Sequence, residues 1–290
     1  MMQPASTTGR RRILVAALVV ILMVVGSAVV TVVTRNGGLG AVPAYAEGTI
    51  LALPSGSASS ISVVGDNLEV VVGTSPAVTS ASIILGSQGF RQDFRAKTGT
   101  YGLRFDSVPG GQAGVRRLTV VVPENGMLTL TLVGEARLVL DQARLKELRL
   151  AGVSSALGLD ATESGSIIDL VQIENVTGRF SATRLGNLDM ADLVIGNIVG
   201  RYDLDFSGSP GRHCEVSLHT AVGNGTLRVP RKPGAQLSIG SVLGKVLSSG
   251  FVAEGSKSFL NAAAASGADR RLIVHIDNAI GQIQLVEVRQ

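Results

Sequence analysis

The sequence predicts an all-β fold: a single-stranded β-solenoid of stacked coils of about 20–23 residues, preceded by one N-terminal transmembrane helix. Three observations carry this. A long apolar run lies near the N-terminus, the remainder is rich in Gly, Val, Ile and Leu with only 3% aromatic residues and no Trp, and one octet recurs six times.

The apolar run covers Ile13–Thr34, 22 consecutive residues without a charge. As a helix it reaches roughly 33 Å, enough for a hydrocarbon core of about 30 Å, and it has no polar face to turn toward water. Arg10, Arg11 and Arg12 precede the run and only Arg35 comes after it. That bias keeps residues 1–12 as a cytoplasmic tail and exports the chain beyond the span. Residues 35–47, with the Gly-rich RNGGLGA at 35–41 and Pro43, read as a linker. Ala44-Tyr45-Ala46 has the small-x-small form of a cleavage site, so secretion after signal cleavage is the alternative. The apolar run is longer than the 7–15 residues of a signal core, which favours the uncleaved, single-pass anchor. Both readings place the rest of the chain outside the cytoplasm.

Net charge is +4, but the first 46 residues hold four arginines and no acid, leaving 22 basic against 22 acidic residues in the exported part. The basic balance thus belongs to the topogenic segment, and a nucleic-acid surface is excluded as a partner. Cys214 is the single cysteine, so no intramolecular disulfide supports the fold.

The octet reads apolar-x-apolar-x-(Asn/Ser/Thr)-apolar-x-Gly. Its copies are AGVSSALG (151–158), VQIENVTG (171–178), LVIGNIVG (193–200), VSLHTAVG (216–223), LSIGSVLG (237–244) and VHIDNAIG (274–281). The terminal glycines Gly158, Gly178, Gly200, Gly223, Gly244 and Gly281 are spaced by 20, 22, 23, 21 and 37 residues. Two apolar residues two apart share a strand face, the polar residue tolerates a turn, and Gly supplies a backbone angle that side chains resist. A coil of that size buries little alone but much when stacked. In such a stack the octets succeed one another in register, and Ser155, Asn175, Asn197, Thr220, Ser241 and Asn278 form a polar column of structural hydrogen bonds. The repeats are expected over 141–290, with an insertion at about 247–270 leaving the coil as a lid or loop. Residues 48–140 carry further strand patterns, ISVV (61–64), LEVVV (68–72), ASIIL (81–85), LTVVV (118–122), LTLTL (128–132) and RLVL (137–140), as early coils or a separate cap.

These repeats resemble bacterial adhesin-like β-strand-repeat domains of unknown function. The C-terminal third is similar to toast-rack domains and the C-terminal domains of cell-wall-active antibiotic response proteins, through VGNGTLRVPRKPGAQLSIGSVLGKV (222–246), GF (250–251) and LIVHIDNAIGQIQL (272–285). The resemblance implies an envelope-exposed β-solenoid, often membrane-tethered and sometimes linked to envelope stress. Regulators of that kind usually carry several membrane helices, and this chain has one.

Catalytic, cofactor and metal sites are not expected. His213, His219 and His275 are too few and too scattered for a zinc site, with His219 and His275 expected two coils, roughly 10 Å, apart on the solvent face. Cys214 is expected at the surface beside His213. Asp203 and Asp205 read as solvated surface acids, and Gly223-Asn224-Gly225 enters a strand rather than a helix, so it is not a phosphate loop. The resulting expectation is a non-enzymatic, membrane-anchored module of envelope homeostasis or stress sensing that acts through protein contacts. An adhesin or cell-wall-polymer binder is the alternative.

Overall fold

The structure is a computed structural model that describes residues 44–289, apart from 54–57, 94–98, 106–113, 163–164 and 209–210 and the side chains of 58 and 152–155. The expected tail, span and most of the linker (1–43) lie outside the described residues, among which no helix is long and apolar enough to cross a membrane. Pro43–Gln290 forms one unit and is nearly all β. Its strands are β1 (Ile50–Ala52), β2 (Ala58–Val64), β3 (Leu68–Ser75), β4 (Ser82–Leu85), β5 (Phe90–Gln92), β6 (Tyr101–Phe105), β7 (Arg116–Pro123), β8 (Gly126–Leu140), β9 (Arg144–Asp160), β10 (Ile167–Glu174) and β11 (Val176–Thr183). They continue with β12 (Asp189–Asp205), β13 (Cys214–Pro230), β14 (Gly234–Ser249), β15 (Val252–Ala253), β16 (Ser258–Leu260) and β17 (Arg270–Val288). A single helical turn, α1 (Ala262–Ala265), precedes β17.

The sheet is largely parallel and solenoid-like. Most coils are one long strand with a bend near its middle, giving two legs. Val171 pairs with Leu193 and Leu193 with Val216, so successive coils advance by 22 and 23 residues. Alternation puts every second residue inside. Leu148, Val171, Leu193, Val216, Val274 and Leu237 make one buried column on the first leg. Leu150, Ile173, Ile195, Leu218, Ile276 and Ile239 make the next. On the second leg Phe180 and Tyr202 stack in successive coils and are then met by Gly225. A β-carbon on Gly225 would run into the Tyr202 ring, so the ring fills the volume that the next coil leaves vacant. Connectors complete the core with Ala161, Leu185, Leu188 and Phe206.

The expected stacking order requires a correction. The last octet does not stack on the fifth from outside: β17 lies between β13 and β14, parallel to both, so the spatial order of copies is 171, 193, 216, 274, 237. The chain lays β14 down one rung too far and returns to fill the gap. Both arrangements present the same apolar octet to β13, so the pattern alone does not distinguish them. The segment between β14 and β17 is also more ordered than a loop. β15 and β16 form a hairpin, β16 pairs antiparallel with Gln236–Ser238, and α1 comes next.

Residues 48–140 continue the same ladder. β2 and β3 both stack on β8, β6 stacks on β2, and β7 on β3. Three short antiparallel strands then close that end: β5 on β6, β4 on β7, and β1 on β4.

Candidate functional site

The bend row is the feature that shapes every surface. Gly178, Gly200, Gly223, Gly281 and Gly244 are mutual neighbours in register. Gly200 and Gly223 have φ of 137° and 132°, a left-handed backbone that side chains rarely adopt. A β-carbon on either would collide with the carbonyl oxygen of the preceding bend glycine. One expected member differs. Gly158 pairs with Arg137 and Ser181 on the second leg, and Ser155 holds the bend position instead, paired with Gly134 and Gly178. The first copy is therefore LRLAGVSS (148–155), three residues upstream of the expected frame, because serine stands where the pattern demands glycine. Gly134, with φ of 114°, is a bend residue that the octet missed. It ends the run LTLTLV without the polar residue, so an alternating run ending in Gly was its signal.

The polar column is correspondingly shorter. Asn197, Thr220, Asn278 and Ser241 are register neighbours, and the Asn197 side-chain amide donates to Asn175 Oδ1 at 3.1 Å. Ser155 belongs to the bend row instead.

The histidines also sit differently. With β13 and β17 adjacent, His219 and His275 lie on neighbouring coils rather than two apart. His219 Nδ1 is 2.8 Å from Asp277 Oδ2, His275 Nδ1 is 2.6 Å from Ser238 Oγ, and His275 Nε2 is 3.6 Å from Glu215 Oε1. Ser238, His275 and Glu215 thus line up as a hydroxyl, an imidazole and a carboxylate. His275 and Glu215 are 42% and 51% exposed, so charge developing there is solvated by water rather than by fixed dipoles. Among the described residues no cluster suits a metal ion. Cys214 is buried rather than at the surface, and burial pushes its thiol up to about 12, beyond the reach of thiolate chemistry at neutral pH. Asp203 and Asp205 are engaged too. Arg228 bonds Asp203, and Asp205 accepts from the Ser207 backbone N–H at 2.9 Å.

An open groove of about 480 Å³ lies where the hairpin meets β14 and β17, lined by Ser238, Gly240, Glu254, Lys257, His275 and Asp277 among others. Lys257 straps its margin: its backbone oxygen accepts from Ile239 N–H at 2.8 Å and its ammonium donates to Gly240 O at 2.7 Å. Beyond that strap the cover stops. The second leg of β14, residues 241–249, pairs with β17 on one side and with no described strand on the other. Leu243 and Leu247 are 56% and 47% exposed there, and Val242 and Val246 are only half-buried over Ala279 and Ile283. The core and a row of backbone N–H and C=O groups are open together at this edge.

No family model and no curated protein matches the chain. Among solved structures it is similar to a proposed cell adhesion protein from Clostridium sporogenes ATCC 15579, at 17% identity and a TM-score of 0.37, over 83% of this chain and 98% of that one. A proposed adhesin from Bacteroides fragilis NCTC 9343 is similar at 10% identity and a TM-score of 0.37, over 82% and 96% of the two chains. At that TM-score neither likeness decides function.

Proposed function

We propose that this chain is a membrane-anchored binding module of the cell envelope, tethered through residues 13–34, that engages an extended segment of a partner protein along the second leg of β14. The observation that supports this is the open edge itself. An unpaired strand edge is completed by another polypeptide, whose backbone has matching donor and acceptor spacing. Exposed Leu243 and Leu247 and half-buried Val242 and Val246 add apolar area for alternate side chains of the incoming strand. Lys245, in the middle of the edge, opposes pairing with a second copy through like charge and favours an acidic residue in the partner. Neutral glycans fit less well: there is no Trp, and Tyr202 is buried, so flat aromatic faces for sugar stacking are scarce. The reading assigns no catalytic step, cofactor or metal.

A photo-crosslinker placed at Leu247 in intact cells should yield one discrete adduct with an envelope protein, and the same group at Gln172, on the outer face of β10, should not. The adduct should vanish when Leu243 is replaced by Lys. Equal adducts from both positions, or one indifferent to Leu243→Lys, would count against the reading.

A further inference from the structure

On the second-leg outer face, the residue after each bend points to solvent, and these residues run along the stack as Glu135, Ala156, Arg179, Arg201, Asn224, Gln282 and Lys245. Arg179 and Arg201 are direct register partners, both exposed, on strands about 4.8 Å apart. Like charges so placed repel. The same face supplies carboxylates elsewhere: Arg137 is bonded to Asp160, and Arg228 to Asp203. Among the described residues neither Arg179 nor Arg201 has such a partner, because Ser181 and the already engaged Asp203 occupy the next outward positions. Beside Arg179 lies a trough of about 320 Å³ whose floor is Ala156 and Gly158, with the Ser181 and Thr183 hydroxyls along one side. Packing does not require a glycine at 158: an added β-carbon would come no nearer than 3.7 Å to any neighbour. Glu135 also lines the trough, at the end away from Arg201, and repels an anion there.

We propose that Arg179 and Arg201 together bind one oxyanion, a phosphate ester, sulfate ester or carboxylate, and that the trough at Gly158 receives the group carrying it. Two planar guanidinium forks side by side match an anion with several oxygens, and the bound charge removes the repulsion between them. The site is on a different leg of the coil from the groove at Lys257 and does not depend on the open edge.

The test is calorimetric titration of the full chain in detergent with inorganic phosphate, glucuronate and a poly(glycerol phosphate) chain. Arg179→Gln and Arg201→Gln should each weaken binding about tenfold or more, while Lys245→Gln, well beyond Arg201 along the stack, should leave it unchanged. Gly158→Leu should weaken the polymer and spare inorganic phosphate if the anion arrives on a chain; equal binding of both, with Gly158→Leu silent, would assign the arginines to a free anion and overturn the role given to the trough. No binding of any probe, or binding indifferent to both arginine variants, would overturn the proposal.

Discussion

The two ends of the stack are closed in different ways. At the N-terminal end both legs of the last coil are covered: β5 lies on β6 and β4 on β7, each antiparallel. Phe90 and Phe105 pack edge to face with centroids 5.7 Å apart, and Arg116 sits 4.6 Å above the Phe105 ring. At the C-terminal end β16 covers three residues of the first leg of β14, and among the described residues no strand covers the second leg. A solenoid must end somewhere, and an uncovered end invites unwanted pairing. One end is closed with aromatic packing while the other leaves Leu243 and Leu247 in water, which fits the first to stability and supports the contact role proposed for the second.

The comparison can be broken at several levels. The largest effect belongs to neither end. Gly200→Val adds a branched side chain at a positive φ, against the Gly178 carbonyl, and should cost about 4 kcal/mol or more in chemical denaturation. At the closed end, Phe90→Ala removes a fully buried ring and should cost about 3–4 kcal/mol. The half-cap at the other end hangs on Asn261, which is fully buried. Its Oδ1 accepts from Ala235 and Ala264 N–H at 2.8 and 3.0 Å, and its amide donates to Pro230 and Pro233 carbonyls, each at 2.9 Å. Asn261→Ala should cost about 2 kcal/mol by leaving those groups unsatisfied, and limited proteolysis between β15 and α1 should accelerate.

A smaller effect depends on pH. The folded Cys214 thiol keeps its proton to about 12 because it is buried, whereas an unfolded thiol loses it near 8.5. The unfolded state is then favoured as pH rises through that window, so stability should fall above about pH 8.5 and Cys214→Ala should flatten that part of the fall. Smallest of all, Leu247→Lys on the open edge should shift stability by no more than about 0.5 kcal/mol. A loss comparable to that of Phe90→Ala would mean that the open edge is part of the core after all.

Much of this architecture is legible in the octets, because alternation and a bend glycine are local requirements that each coil repeats. The errors arise where a residue breaks a local rule without breaking the fold. Ser155 takes a bend position, which moves the first copy by three residues, and Gly134 bends its strand without the preceding polar residue. The order of β17 and β14 is not legible at all, since Val274–Ile276 and Leu237–Ile239 offer β13 the same apolar pair. Everything that depends on that order was hidden with it: the approach of His219 to Asp277, the His275–Glu215 contact, and the identity of the strand left at the edge. Arg179 and Arg201 follow the bend glycines of consecutive octets, so their adjacency was legible in the register; that Asp203 is engaged by Arg228 was not.

Residue-resolved hydrogen exchange tests the asymmetry most directly. Amides of β7 from Leu118 to Val121, flanked by β3 on one side and β4 on the other, should exchange as slowly as the core. Along Ser241–Ser249, bonded on one side by β17, alternate amides should exchange orders of magnitude faster than their neighbours and gain protection when the partner segment binds. Uniform slow exchange across 241–249 in the isolated chain would contradict the open edge, and with it the proposed binding surface.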